Sequence, residues 1–152
     1  ALGVVSACGE SAPKAPAVEE LRSPLDQARH DGALAAAAAT AIGIPPQVAA
    51  ALTVVATQRT SHARALATEI ARAAGKLVSA TSETSSSSPS PTDPAAPPPA
   101  VSDVIDSLRT SAGEASRLVA TTSGYRAGLL ASIAASCTAS YTVALVPSGP
   151  SI

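Results

Sequence analysis

Residues 46–76 read PQVAAALTVVATQRTSHARALATEIARAAGK, and this stretch decides the fold. Between Pro46 and Gly75 no glycine or proline interrupts it, and its larger apolar residues recur at steps of three and four. Such steps place side chains on one side of an α-helix. The apolar stripe comprises Val48, Leu52, Val55, Leu66, Ile70, Ala73 and Leu77. The stretch therefore predicts a long amphipathic helix that ends at Gly75.

Two polar residues lie within this stripe. Continuing the helical steps through its middle reaches Arg59 and His62, and Glu69 lies at the edge of the same face. Because an unpaired buried charge is costly, the rest of the fold has to supply partners for these side chains. We expect Glu69, or a carboxylate of the preceding helix such as Asp26, to pair with Arg59.

The candidate site consists of Arg59, His62, Glu69, Asp26 and His30. One interpretation is a small buried polar pocket that takes an anionic ligand, and the other, which we favour, is a structural network of ion pairs. Asp26 and His30 are four residues apart, so they can also form a solvated pair on one helix. Two histidines and scattered carboxylates are a weak basis for a metal site. We predict no catalytic residue, no metal ligand and no cofactor.

The composition favours helices that approach each other closely. Hydrophobic residues make up 46% of the chain, more than half of them alanine, and the chain contains no Phe, Trp or Met. Alanine buries little area, so the core has to come from close contact between helix backbones. A formal net charge of −1 without a cluster of Lys and Arg argues against nucleic-acid binding. No apolar run is predicted to be long enough for a transmembrane helix.

Helix-breaking residues divide the chain into four helices. The first is predicted to start near Ser23 and stop at Gly43, with an earlier turn at residues 18–22 left open. Its buried face is one of two stripes: Leu21, Leu25, Ala28, Gly32, Ala35 and Ala39, or His30, Leu34, Ala37 and Ala41. The third helix begins at Val101 and presents Val104, Ile105, Leu108, Ala112, Ala115, Leu118 and Val119. The fourth follows a turn at residues 121–124 and presents Leu130, Ile133, Ala134, Cys137, Tyr141 and Ala144.

The lengths of the connections predict the topology. The connections at residues 43–46 and 121–124 are short, so residues 18–78 and residues 101–146 each form an antiparallel hairpin. Residues 79–100, between the two hairpins, are rich in Ser and Pro and are predicted to be a disordered linker. Residues 147–152, after the second hairpin, are predicted to be a tail. This linker is long enough to run the length of the bundle. The fold class is therefore an all-α four-helix bundle with a ferritin-like arrangement of its helices.

The N-terminal residues predict where the protein is located. The tetrad Val5-Ser6-Ala7-Cys8 resembles the bacterial lipobox, in which the cysteine receives a diacylglyceryl group. Residues 1–7 would then be the end of a signal peptide, and residues 8–17 the lipidated cysteine and a polar tether. With Cys8 lipidated, Cys137 has no partner and is predicted to be a packed core thiol. If Cys8 is not lipidated, a disulfide between the two cysteines is the alternative.

Two helical stretches carry a resemblance to a known group of proteins. Residues 58–66, QRTSHARAL, and residues 125–137, YRAGLLASIAASC, look like the ferritin-like helical-bundle domains of unknown function in actinobacterial, mycobacterial-type, lipoproteins. Metal-binding ferritin-like proteins use Glu-x-x-His motifs with further glutamates. Here Arg59 stands three residues before His62, and no Glu, Asp or His follows Tyr125. The resemblance therefore implies the fold without oxidase or iron-storage activity.

The predicted function is an interaction or scaffold domain, without enzymatic activity, on a membrane-anchored envelope lipoprotein. The domain would lie at the outer face of the cell membrane, where lipid on Cys8 would hold it. An unidentified envelope protein would be its partner there. The alternative is a degenerate ferritin-like protein that binds a metal or a small ligand inside the bundle. The sequence leaves the oligomeric state open.

Overall fold

The computed structural model describes residues 18–75 and 96–146 of the chain. A short 3-10 turn, Val18–Leu21, leads into α1, Arg22–Ala38. The other helices are α2 (Pro46–Ala73), α3 (Val101–Val119) and α4 (Gly124–Ala139), and the π-helical turn Ser140–Ala144 continues α4. No strand occurs within the described residues. The predicted all-α four-helix bundle is confirmed.

Hydrogen bonds between α1 and α3 show the relative direction of these two helices. The connections at residues 39–45 and 120–123 join α1 to α2 and α3 to α4 as antiparallel hairpins. Ser23, near the start of α1, donates to Glu114 near the end of α3, and Asp31 accepts from Ser107, nearer the start of α3. α1 and α3 are therefore antiparallel neighbours.

The second pair of neighbours is α2 and α4. Glu69, near the end of α2, contacts Arg126 at the start of α4, whereas Gln58 accepts from Ser136 and Ser140 near the far end of α4. These helices are therefore antiparallel, and α2 and α3 run in the same direction. The chain that joins α2 to α3 has to return from one end of the bundle to the other, as the sequence predicts.

Several predicted segments lie outside the described residues. They include Cys8 and its tether, most of the linker at residues 79–100, and the tail at residues 147–152. The described part of the linker, residues 96–100, forms neither helix nor strand. The lipid anchor and the disorder of the linker stay predictions.

The core contains one aliphatic stripe from each helix. α1 uses the first of its two predicted stripes, because His30 on the other stripe is exposed. A Cβ atom added to Gly32 would lie 3.6 Å from the Cβ atom of Arg59, so α1 and α2 approach closely at this level. The buried apolar residues are Leu21, Leu25, Ala28, Ala35, Ala38, Leu52, Val55, Ala63, Leu66, Val104, Leu108, Ala112, Ala115, Leu130, Ile133, Ala134, Cys137 and Leu145.

The first helix ends earlier than predicted. α1 stops at Ala38 instead of Gly43, because the backbone N–H groups of Thr40 and Ala41 bond to carbonyls three residues before them. These tighter 3-10 contacts replace the α-helical pattern. Gly43 then turns the chain with a φ of 83°, a left-handed conformation that glycine adopts without strain.

The π-helical turn corrects the predicted stripe of the fourth helix. Ala144 was expected on the buried face but is exposed, and Leu145 is buried instead. The backbone N–H of Leu145 bonds to the carbonyl of Ser140, a step of five residues, at 3.0 Å. A π turn holds one residue more than an α turn, so the inward position moves by one residue.

The prediction that no apolar run is long enough to span a membrane is wrong. The helical stretch Gly124–Ala144 contains an 18-residue window with a mean hydropathy of 1.3, so it is long and apolar enough to span a membrane by length and composition. Core helices of soluble proteins pass the same test. Here 28% of that window is buried inside the molecule.

Candidate functional site

An ion pair between α1 and α2 lies at the centre of the bundle. Nη2 of Arg59 is 2.8 Å from Oδ2 of Asp31, and the two side chains are 3% and 0% exposed. Asp31 lies three residues after Ala28 and four before Ala35, so it belongs to the buried stripe of α1. The partner of Arg59 is therefore a carboxylate of the first helix, as expected, but it is Asp31 and not Asp26 or Glu69.

The carboxylate of Asp31 accepts hydrogen bonds from three further side chains. Gln27 donates to Oδ1 at 3.0 Å, the Ser107 hydroxyl donates to the same oxygen, and the Ser111 hydroxyl donates to Oδ2 at 2.6 Å. Buried carboxylates need such donors, because they lose the hydrogen bonds of water. Asp31 is thus fully engaged by α1, α2 and α3.

The guanidinium of Arg59 also contacts His62 and Ser111. Nη1 lies 3.1 Å from Nδ1 of His62, and Nη2 lies 3.3 Å from the Ser111 hydroxyl. Since a guanidinium only donates, Nδ1 of His62 has to accept, which leaves the imidazole proton on Nε2. The Nε atom of Arg59 is buried and has no hydrogen-bond partner within the described residues.

His62 is a neutral imidazole at physiological pH. Burial, and then the positive charge of Arg59, lower the pKa of His62 from 6.5 to about 4. Both effects act in the same direction, because each disfavours the imidazolium form. His62 therefore acts as a hydrogen-bond acceptor for Arg59 and adds no charge to the core.

A second cluster surrounds Glu69 near the C-terminal end of α2. Oε1 of Glu69 lies 2.7 Å from Nη2 of Arg72 and 2.8 Å from Nε of Arg126, and Oε2 accepts from Nε of Arg72 at 2.8 Å. The Glu69 side chain is 1% exposed, whereas Arg72 is 58% exposed. The hydrogen bonds from Arg72 are the largest cause of a lowered pKa for Glu69, while burial opposes them. Glu69 is therefore held ionised.

Cys137 is a buried thiol, as predicted. Burial raises its pKa, the charge of Arg59 opposes this rise, and the charge of Asp31 adds to it. Only a thiolate is a strong nucleophile, so a thiol with a raised pKa is unreactive.

The predicted five-residue site is divided by the fold. Arg59 and His62 are in contact, but Glu69 belongs to the separate cluster with Arg126. Asp26 and His30 are exposed, so their placement in a buried pocket is wrong. Both Asp26 and Arg29 point into solvent, and Oδ1 of Asp26 lies 3.4 Å from Nη1 of Arg29, three residues later on the same helix.

Sequence reasoning missed the residues that complete the two clusters. Asp31 and Ser111 lie on buried stripes at helical steps from alanine and leucine neighbours, and Arg126 lies four residues before Leu130. The spacing was therefore a usable signal for burial. Within residues 18–75 and 96–146, no group of three or more His, Cys, Asp and Glu could hold a metal ion.

Comparison with known proteins leaves the chain without an assigned relative. No protein-family model matches it, and neither a curated protein nor a solved structure gives a significant match. The resemblance to ferritin-like lipoprotein domains therefore stays a prediction, and function has to be argued from the residues.

Proposed function

We propose that this chain is a non-catalytic interaction or scaffold domain that is held at the outer face of a cell membrane by lipid on Cys8. The observation that supports the non-catalytic part is the internal pairing of the core. Each buried charged side chain of the described residues, namely Asp31, Arg59, Glu69 and Arg126, forms an ion pair with another side chain. Such pairs leave no buried charge poised for a substrate.

The remaining reactive groups are also poorly placed for chemistry. A catalytic nucleophile or base needs access to a substrate and a pKa suited to proton transfer. Cys137 is 1% exposed and its pKa is raised. The Nδ1 atom of His62 is occupied by Arg59. The polar network is therefore best explained as a device that fixes how the helices pack.

The sequence supports the membrane anchor. Val5-Ser6-Ala7-Cys8 fits a lipobox, and residues 9–17 provide a polar spacer before the turn at Val18–Leu21. One acyl chain binds a membrane only reversibly, whereas two hold firmly, since each buried CH₂ contributes about 0.8 kcal/mol. A diacylated Cys8 would keep the bundle at the membrane surface.

Replacement of the anchoring cysteine tests the proposal. Cys8→Ala should move the protein from the membrane fraction to the soluble fraction, and mass spectrometry of the unaltered protein should show lipid on Cys8. Cys137→Ala is the matched control, because it removes the other cysteine and should leave the protein in the membrane fraction. An unmodified Cys8, or equal fractionation of Cys8→Ala and the unaltered protein, would refute the anchor.

The alternative function is metal or small-ligand binding inside the bundle. Asp31 and His62 are suitable metal ligands and both lie beside Arg59. The guanidinium, however, is itself a cation that contacts both, so a metal ion would have to displace it against charge repulsion. Thermal melts with and without Zn²⁺ test this alternative. A Zn²⁺-dependent rise in melting temperature that His62→Leu abolishes would favour it over the structural network.

A further inference from the structure

One buried donor of the core lacks an acceptor. Among the described residues, Nε of Arg59 is the buried side-chain nitrogen or oxygen atom that has no hydrogen-bond partner. Arg59 is 2% exposed, so bulk solvent does not reach this N–H group. Buried N–H groups almost always find an acceptor in folded proteins, because an unmade hydrogen bond is costly. The unmatched N–H group therefore indicates a bound acceptor.

The two terminal nitrogens of the same guanidinium are occupied. Nη1 lies 3.1 Å from Nδ1 of His62, and Nη2 lies 2.8 Å from Oδ2 of Asp31 and 3.3 Å from the Ser111 hydroxyl. In the planar guanidinium the Nε–H bond runs parallel to one N–H bond of Nη2. Nη2 has two acceptors for its two N–H bonds, so one of these acceptors lies on the side to which Nε–H points. A molecule bound at Nε would therefore have a polar neighbour.

Helix spacing leaves room on the side of Arg59 that faces α4. Towards α1 the packing is close, since a Cβ atom added to Gly32 would lie 3.6 Å from the Cβ atom of Arg59. The backbones of α2 and α4 approach within 8 Å at far fewer positions than those of α1 and α2 do. Gln58 contacts Ser136 and Ser140, so Arg59 is level with the residues between them. The wider gap therefore lies at the level of Arg59.

Cys137 occupies this level of α4. It is 1% exposed, and burial raises the pKa of its thiol, with further effects from the charges of Arg59 and Asp31. Such charges act on a pKa over short distances, so the thiol lies beside the ion pair. A thiol is small and is only a weak donor and a weak acceptor. Cys137 therefore borders the gap without satisfying Nε of Arg59.

Charge excludes an ion as the missing acceptor. The guanidinium of Arg59 is already neutralised by Asp31 at 2.8 Å. An anion at Nε would meet the buried carboxylate, and a cation would meet the guanidinium, so either would be repelled. We propose that a single water molecule, buried between α2 and α4 beside Cys137, accepts the hydrogen bond from Nε of Arg59. Buried waters typically make about three hydrogen bonds to polar groups that otherwise lack partners.

The water would connect α4 to the central ion pair. Side chains of α1, α2 and α3 bond directly to Asp31 or Arg59, whereas no side chain of α4 does so within the described residues. A water at Nε has two protons to donate, one towards the neighbouring acceptor of Nη2 and one towards the thiol of Cys137. The network would then include all four helices. This inference goes beyond the proposed function and does not depend on it.

Nuclear magnetic resonance of the full chain, produced without lipid and with isotope-labelled arginine, tests the proposal. Hε of Arg59 should show a cross peak with water in both laboratory-frame and rotating-frame Overhauser spectra, with the opposite signs that mark a long-lived bound water. Hε of Arg126 is the matched control, because Arg126 is also buried and its Nε donates to Oε1 of Glu69 at 2.8 Å. This control proton should show no such peak.

Three variants test where the signal comes from. Ser111→Ala removes the hydroxyl that contacts the guanidinium and should keep the peak, because the peak belongs to water. Cys137→Val adds apolar volume at the gap, so it should displace the water and abolish the peak. Cys137→Ala is its matched control, since it leaves the space open and should retain the peak. Circular dichroism shows whether each variant is folded.

Three results would overturn the proposal. The first is an unaltered chain in which Hε of Arg59 shows no water peak, or shows the same peak as Hε of Arg126. The second is loss of the peak in folded Ser111→Ala, which would assign the signal to the hydroxyl. The third is an undiminished peak in folded Cys137→Val, which would place the water elsewhere. The first measurement needs no substitution, so it decides the proposal whether or not the variants fold.

Discussion

Arg59 on α2 and Asp31 on α1 form a buried ion pair, with Nη2 and Oδ2 2.8 Å apart. The pair lies at the level where Gly32 lets the two helices approach closely. Asp31 also accepts from Ser111 of α3, so the pair connects three of the four helices. Opposite charges that meet at one level fix the relative positions of helices whose alanine-rich surfaces would pack in many ways.

Removal of one partner should be strongly destabilising. Arg59→Ala leaves the Asp31 carboxylate buried without its counter-charge, and breaking a buried pair in this way costs about 3–5 kcal/mol of unfolding free energy. Arg64→Ala is the control, because Arg64 is exposed on the same helix and its loss should cost less than about 1 kcal/mol. Urea unfolding followed by circular dichroism measures both values. An Arg59→Ala protein as stable as the unaltered chain would mean that Arg59 is not buried in solution.

The sequence predicted the burial of Arg59 but not its partner. Helical steps along α2 place Arg59 on the apolar stripe whatever lies opposite. The steps along α1 also pass through Asp31, yet an aspartate at a core position is acceptable only if another element supplies its donors. That requirement is tertiary, and no periodicity within one helix reveals it. The two partners that the spacing suggests, Glu69 and Asp26, are both wrong, because Glu69 pairs with Arg72 and Arg126 and Asp26 is exposed.

The end of the fourth helix shows a second limit of what helical periodicity in the sequence can predict. A regular 3.6-residue period predicted Ala144 on the buried face, and the structure buries Leu145. A single π turn shifts the register by one residue without any glycine or proline to signal it. Helix number, helix boundaries to within a few residues and topology followed from spacing and connection lengths. Side-chain pairing between helices and this local irregularity did not.

His62 should make folding stability depend on pH. The pKa of His62 in the folded protein is about 4, below its ordinary 6.5, so the unfolded chain binds the proton first as pH falls. The stability contributed by the neutral imidazole is complete above about pH 6.5 and is lost as the pH falls towards about 4. The loss should amount to roughly 1–2 kcal/mol, because the imidazole is partly exposed and solvent screens its charge.

Urea unfolding at pH 7 and pH 5 measures this effect. His62→Leu should flatten the pH dependence in this range, since leucine has no proton to bind. His30→Leu is the matched control, because it removes the other histidine of the chain, which is exposed on α1. An equal slope in the unaltered chain and in His62→Leu would contradict the lowered pKa.

The two arginines of the Glu69 cluster should differ in their contribution to stability. The Arg126 side chain is 10% exposed and that of Arg72 is 58% exposed. Hydrogen bonds from buried charged groups contribute about 1.5–3 kcal/mol, whereas exposed ion pairs contribute about 0–1 kcal/mol. Arg126→Ala should therefore lower the unfolding free energy clearly more than Arg72→Ala. Equal losses would show that solvent reaches both guanidinium groups alike.

The length of the connection between α2 and α3 should limit folding. Because the two helices are parallel, the chain has to return from Ala73 to Val101 along the bundle. Arg59 and Ser111 lie at the same level, so this return covers roughly 36 Å at 1.5 Å per helical residue. Removing residues 80–89 leaves a connection that can reach roughly 60 Å when extended, whereas removing residues 77–96 leaves one that reaches only roughly 28 Å.

The shorter deletion should melt within a few degrees of the unaltered chain, because loop length alone changes closure entropy slowly. The longer deletion cannot span the bundle, so it should unfold or exchange hairpins between two chains. Thermal melts combined with sedimentation separate these outcomes, since hairpin exchange would appear as a folded, obligate dimer. A longer deletion that stays a monomer and melts like the unaltered chain would contradict the parallel arrangement of α2 and α3.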